Sequence, residues 1–173
     1  MKILCSGNPY HNTIASGIRE IYPHASFASR KTGYDLRFWD PGSENYFRNT
    51  IIDYNVFINS SYLCKWGQHQ LLEVTHEEWS ENKIQGHIIN IGSSAEFLGI
   101  NSPFGSYTVQ KLALRDLSLQ LHKKNGIKTT HIIVGGINDG KPGHENWLKI
   151  NNIAKTIKYA IDHPDTIPLI SIL

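Results

Sequence analysis

Short, continuously apolar runs punctuate this chain, and stretches with helical character separate them. Lys2–Ser6, Asn55–Asn59, His87–Ile91 and Thr130–Val134 are too short for helices and apolar at most positions. Strict alternation marks a strand with one wet face, whereas a continuous run marks a strand covered on both faces. Such strands need helices above and below them. Thr13–Tyr22 reads as the first helix, with Asn12 as N-cap and Pro23 as stop. Glu44–Asp53, Gln68–Glu81, Ser106–Lys124 and Asn152–Asp162 read as further helices, with Asn125-Gly126 ending the fourth. Ala25–Ser29, Tyr34–Trp39 and Ile167–Leu173 complete the strands. The order β-α-β-β-α-β-α-β-α-β-α-β predicts an α/β fold with a doubly wound parallel sheet, a Rossmann-type three-layer α/β/α arrangement. The 173 residues fit one such domain, long enough to bury a core without metal or disulfide support.

Composition narrows the function. Hydrophobic residues make up 40% and charged residues 18%, a globular balance. A net charge of +2 gives no argument for nucleic acid or an anionic membrane as partner. The nine histidines are scattered, with no H-x-x-x-H or H-E-x-x-H pair, so no metal site is expected. Cys5 and Cys64 lie in or beside apolar runs and read as buried thiols of a reducing compartment. The N-terminal apolar stretch is too short for a signal peptide, and no run approaches a membrane span. The expectation is a soluble cytoplasmic protein.

Chemistry concentrates at Tyr107 and Lys111. Four residues apart near a predicted helix start, they share one helix face. A tyrosine titrates near ~10, too high for easy proton exchange at neutral pH. A neighbouring ammonium favours the phenolate and lowers that value. The tyrosine then exchanges a proton with a carbonyl or alcohol oxygen. Ser94 stands thirteen residues before Tyr107, just beyond the strand His87–Ile91. Ligands of open parallel sheets sit beyond the carboxyl ends of strands, where a serine can donate a hydrogen bond to a substrate oxygen.

The run I-I-N-I-G-S-S-A followed by Y-T-V-Q-K resembles the catalytic stretch of the short-chain dehydrogenase/reductase family. The resemblance implies catalytic roles for Ser94, Tyr107 and Lys111, with Lys111 also holding the nicotinamide ribose. It extends more weakly elsewhere. Val56–Ser61 resembles the family's strand ending in N-N-A-G, with Asn59 matching and Ser60-Ser61 replacing the small pair. His131–Ile137 resembles the strand before the family's P-G motif, which makes Ile137 a candidate nicotinamide contact. Gln68 stands nearest to the helix asparagine that holds a relay water in the family.

The glycine-rich loop departs from the family pattern. Ser6-Gly7-Asn8-Pro9-Tyr10-His11-Asn12-Thr13-Ile14 keeps Gly7, but His11 and Thr13 fall where glycines belong. A remodelled phosphate site is expected from Gly7, Asn8, His11, Asn12, Thr13 and Ile14, at a helix N-terminus that favours anions. Arg30 closes the second strand where a 2′-phosphate would lie, which favours NADP over NAD. Asp40 falls near the adenine position. Relative to the family the chain is short. Gly135–Gly143 reads as a surface loop, and residues 135 to 147 are all that remains to close over a substrate.

The helix Ser106–Lys124 carries apolar residues on more than one side, so a second face needs another partner; the resemblance implies that this partner is another copy, in a homodimer or homotetramer. The resulting expectation is a single dinucleotide-binding domain, residues 1–173, acting as an oxidoreductase. It would transfer hydride between NADP(H), with NAD(H) also considered, and a small carbonyl or alcohol substrate. The alternative is a non-catalytic dinucleotide-binding or oligomeric scaffold protein derived from this fold. An S-adenosylmethionine methyltransferase shares the sheet class. It leaves Ser94, Tyr107 and Lys111 without a role, and no acidic residue follows the second strand.

Overall fold

The computed structural model describes residues 1–32, 40–61, 66–98, 104–163 and 165–173. The order is β1 (Ile3–Ser6), α1 (Ile14–Ile21), β2 (Ser26–Ala28), α2 (Pro41–Ile51), β3 (Val56–Asn59) and α3 (Gly67–Glu81). It continues with β4 (His87–Ile91), α4 (Gly105–Leu121), β5 (Lys128–Val134), β6 (Ile137–Asn138), β7 (Leu148–Lys149), α5 (Ile150–Asp162) and β8 (Leu169–Ile172). Six strands form one parallel sheet in the order β2-β1-β3-β4-β5-β8, with β6 and β7 paired separately. The expected strand Tyr34–Trp39 and the residue Cys64 lie outside the described residues.

Strand parity builds two cores. Ile3, Cys5, Ile58, Ile89 and Ile132 face α1 and α5 in one layer. Leu4, Phe57 and Ile88 face α2, α3 and α4 in the other, around the fully buried Trp79. Each buried Ile, Leu or Phe contributes about 1.5–3 kcal/mol. Continuous apolar strands are thus explained by burial on both faces. Trp79 also donates from its indole nitrogen to the carbonyl of Ile51 at 3.0 Å, which ties α3 to the end of α2.

Helix ends correct several expected boundaries. Thr13, not Asn12, caps α1: its hydroxyl accepts from the Ser16 amide, and the Ser16 hydroxyl accepts from the Thr13 amide. The reciprocal pair satisfies two otherwise unpaired donors, and the Asn12 side chain is used elsewhere. Asp40 caps α2 by accepting from the Ser43 amide at 2.8 Å. Helix α4 stops at Leu121, earlier than Lys124, because Lys123, Asn125 and Gly126 take left-handed backbone angles.

The chain order reverses at β1, which has β2 on one side and β3 on the other. Such a switch point opens a crevice beyond the carboxyl ends of its strands. Here those ends are Ser6-Gly7 and Asn59-Ser60-Ser61.

Candidate active site

A cleft of about 1040 Å³ occupies that crevice. One wall is Gly7, Asn8 and the His11–Ala15 stretch leading into α1; another is Ser29, Arg30 and Lys31 after β2. Ser60 and Ser61 form part of the floor. Tyr107, Ile137, Asp139, His144 and Trp147 come in from the opposite side. Gly7 is required by backbone and space together. Its φ is +137°, and a Cβ there would lie 2.9 Å from the Ala15 Cβ.

The phosphate-loop residues share one wall but not one role. The Thr13 hydroxyl donates to the Asn8 carbonyl at 2.7 Å besides capping α1, so it points to no ligand. The Asn12 amide donates to the Asp139 carbonyl at 3.4 Å. Asn8 accepts from the Tyr10 amide at 3.0 Å. Ile14 is buried against the α1 side of the core. His11 is exposed on the cleft rim, and the first amides of α1 face the same space. Arg30 is exposed in a short 3-10 helix, and Lys31 lies beside it.

Ser60 and Ser61, in place of the smaller pair, lock β1 to β3. Their amides both donate to the Ser6 hydroxyl, at 3.0 and 3.1 Å, and the Ser60 hydroxyl donates to the Ser6 carbonyl. Asn59 is a correction. It is fully buried and absent from the cleft wall. Its side-chain amide donates to the Gln68 carbonyl at 2.8 Å and to the Asn90 side chain at 3.0 Å, so it binds the sheet and α3 together, behind the cleft wall.

Tyr107 and Lys111 are brought together on α4, with the ammonium 5.6 Å from the tyrosine ring centre. Tyr107 is half-buried and lines the cleft; Lys111 is buried behind it. The Lys111 ammonium donates to the Gln68 side-chain oxygen at 2.6 Å and to the Ile91 carbonyl at 2.8 Å. Burial pulls its pKa down to about 8, with the negative charge of Glu96 opposing that shift. Gln68 donates in turn to the Asn59 and Ile91 carbonyls at 2.9 and 3.2 Å. A direct lysine–glutamine bond therefore stands where the sequence suggested a water-bearing side chain.

Ser94 opens a short 3-10 helix, Ser94–Phe97, directly after β4. It is half-buried and does not line the cleft, so the structure gathers Tyr107 and Lys111 but does not bring Ser94 into the same wall. The turn that carries it is held by Ser93, Glu96 and His131. The Glu96 carboxylate accepts from the Ser93 amide at 2.8 Å and meets the His131 ring nitrogen at 2.9 Å. Both Glu96 and His131 side chains are fully buried. Gly92 makes room for this pair, since a Cβ there would fall 2.2 Å from each partner.

Gly135–Gly143, expected as a surface loop, is part of a stretch, residues 135–147, with structure of its own. They carry β6, which pairs with β7, and they line the cleft with Ile137, Asp139, His144 and Trp147. Lys31, Ser60, Ser61, Asp139, His144 and Trp147 were not legible as site residues. Their only sequence signal was proximity to the ends of strands.

The residues present fit a nicotinamide dinucleotide. A Cβ-free approach at Gly7, the free amides of α1, and Arg30 with Lys31 flank a cleft of sufficient volume that ends at Tyr107.

No protein-family model and no curated protein matches the sequence. Solved structures do match by fold. Acetoin dehydrogenase from Salmonella typhimurium superposes with a TM-score of 0.75 at 15% identity, covering 99% of this chain and 95% of that chain. A 4-hydroxyisoleucine dehydrogenase complexed with NADH gives 0.74 at 18% identity, covering 99% and 96%. A short-chain dehydrogenase from Sphingobium yanoikuyae in complex with NADPH gives 0.74 at 11% identity, covering 98% and 87%. Sheet order, switch-point cleft and superposition lead to one conclusion: over nearly its whole length the chain has the Rossmann-type fold of the short-chain dehydrogenases.

Proposed function

We infer that the protein is an oxidoreductase using NADP(H) on a small carbonyl or alcohol substrate. The observation that carries this reading is Tyr107, which lines the cleft with the Lys111 ammonium 5.6 Å from its ring. When bound, the nicotinamide supplies or accepts the hydride. Tyr107 gives a proton to the substrate oxygen in reduction and takes one in oxidation. Lys111, when protonated, favours the phenolate and lowers the energy of that transfer. Ser94 is assigned to hold the substrate oxygen, which requires the turn after β4 to present it to the cleft. Arg30 and Lys31 are assigned to the 2′-phosphate and favour NADP(H) over NAD(H).

The enzyme acts in this reading as a homodimer or homotetramer. Val109 and Leu119 of α4 are exposed, and a second copy would cover them. Elution as a monomer from a sizing column would refute this part. Among the described residues no helix is long and apolar enough to cross a membrane.

One observation favours the alternative of a non-catalytic dinucleotide-binding scaffold. The Lys111 ammonium is already held by Gln68 and Ile91. Calorimetric titration of wild type and Arg30→Ala with NADPH and NADH, followed by a carbonyl panel, separates the two. Tight NADPH binding, weakened in Arg30→Ala, with turnover of at least one carbonyl supports the enzyme. Binding without turnover supports the dinucleotide-binding scaffold, and no binding leaves only the oligomeric scaffold.

A further inference from the structure

The stretch after β5 builds a unit that the redox reading leaves unused. The His144 Nδ1 lies 2.7 Å from an Asp139 carboxylate oxygen, and the Lys141 ammonium lies 2.6 Å from the other. The His144 ring lies flat on Trp147, with centroids 3.7 Å apart and planes 16° off parallel. Trp147 rests on Gly136, where a Cβ would come within 2.7 Å of the indole. Lys141 and His144 hold the Asp139 carboxyl well below the usual carboxylate range, so it is ionised and can only accept. Nδ1 therefore carries the hydrogen, and Nε2 is the ring's remaining pole.

This unit lies against the segment leading into α1. The Asn12 amide reaches the Asp139 carbonyl, and Asp139, His144 and His11 line one cleft. That segment is short of side-chain donors. Thr13 is spent on its own helix and on Asn8, and Asn12 on Asp139. His11, the Asn8 side-chain amide and the first α1 amides are what remain for an anion.

We propose that His144, oriented by Asp139 and Trp147, supplies the missing donor. As imidazolium it gives a charge-assisted hydrogen bond from Nε2 to the pyrophosphate of the bound dinucleotide. This rests on the dinucleotide-binding reading of the cleft. It makes binding dependent on pH. The ligand binds the protonated ring more tightly, so affinity rises with protonation of His144, and bound ligand favours the proton reciprocally. The charged or titratable groups around His144 are Asp139, Lys141 and Glu145 on its own loop, with His11, Arg30 and Lys31 on the facing walls. His11 is a second imidazole on the cleft wall, so its contribution is separated by mutation.

The test is calorimetric titration with NADP⁺, and with adenosine 2′-monophosphate, which lacks the pyrophosphate. Wild type, His144→Gln and His11→Gln are compared near pH ~6 and pH ~8.5, either side of the histidine range. His144→Phe keeps a ring on Trp147 and removes Nε2, which guards against a collapsed loop. Both His144 variants should bind NADP⁺ about ten- to a hundredfold more weakly at the lower pH. They should match wild type at the higher pH and bind adenosine 2′-monophosphate normally. His11→Gln should retain the His144-dependent part of the pH response. Wild-type binding with unchanged His144 variants would overturn this inference alone, as would equal losses for both ligands. No NADP⁺ binding by wild type at either pH would overturn the dinucleotide reading with it.

Discussion

The Lys111 ammonium lies 2.6 Å from the side-chain oxygen of Gln68, a residue forty-three positions earlier in the chain. The bond holds an ammonium inside the wall between α3 and β4, and burial there lowers its pKa from 10.5 to about 8. Unfolded chains keep that proton up to the ordinary value. Between the two values the unfolded state binds more protons, so stability should rise as pH rises from about 8 to about 10.5. Below about 8 the cost of the buried charge is present in full. Urea denaturation across this range should show the rise in wild type and lose it in Lys111→Met.

Tyr107 lines the cleft and sits on a helix anchored by other residues, among them the fully buried Leu114. Tyr107→Phe should therefore keep its melting temperature and its affinity for NADPH. Turnover should fall by about 10²–10⁴-fold, the usual worth of a positioned acid or base. Undiminished turnover would remove Tyr107 from the mechanism.

Much of the fold was legible because its strands are buried on both faces. His87–Ile91 was found to the residue, since a short, mostly apolar run is bounded by Gly86 and Gly92. The cap of α1 was also written in the chain as Thr13 with Ser16 three residues on, but Asn12 competes on composition alone. The placement of Tyr107 beside Lys111, and of Gly7 in the turn after β1, could be read because it follows local spacing. Gln68 with Lys111, and His144 with Asp139 beside Asn12, could not. Those contacts join segments whose approach is decided by the sheet, and a loop without periodicity carries no trace of which side chains it will gather.

Gly92 sits under the buried Glu96–His131 pair, with space for hydrogen only. Gly92→Ala should push the His131 ring from the Glu96 carboxylate and leave a buried ring nitrogen without its partner, at about 1–3 kcal/mol. The turn carrying Ser93 and Ser94 would shift with it. Denaturation should show the loss of stability, and turnover should fall even where the protein remains folded.

His87 is buried beside Thr130, with its ring nitrogen 2.8 Å from the hydroxyl. Burial first, then the charges of Lys128 and His122, lower its pKa from 6.5 to about 4. The unfolded histidine takes up a proton as pH falls below 6.5 while the folded one does not. The stabilisation is thus present above that value and lost progressively down to about 4, amounting to about 3 kcal/mol. Urea midpoints measured from neutral pH to pH ~4 should fall in wild type, with a shallower slope in His87→Gln.

Cys5 lies on β1 with no exposed surface, and burial pushes its thiol up to about 12 despite the Ser60 hydroxyl 3.6 Å away. Alkylating reagents attack the thiolate, which this environment suppresses along with access. Labelling at residue 5 thus requires β1 to part from β2 and β3, its neighbours in the sheet. Residue 5 is in effect a clock for the opening of the strand that ends in Gly7. A molecule seated against Gly7 should slow that clock, whatever reaction it undergoes there.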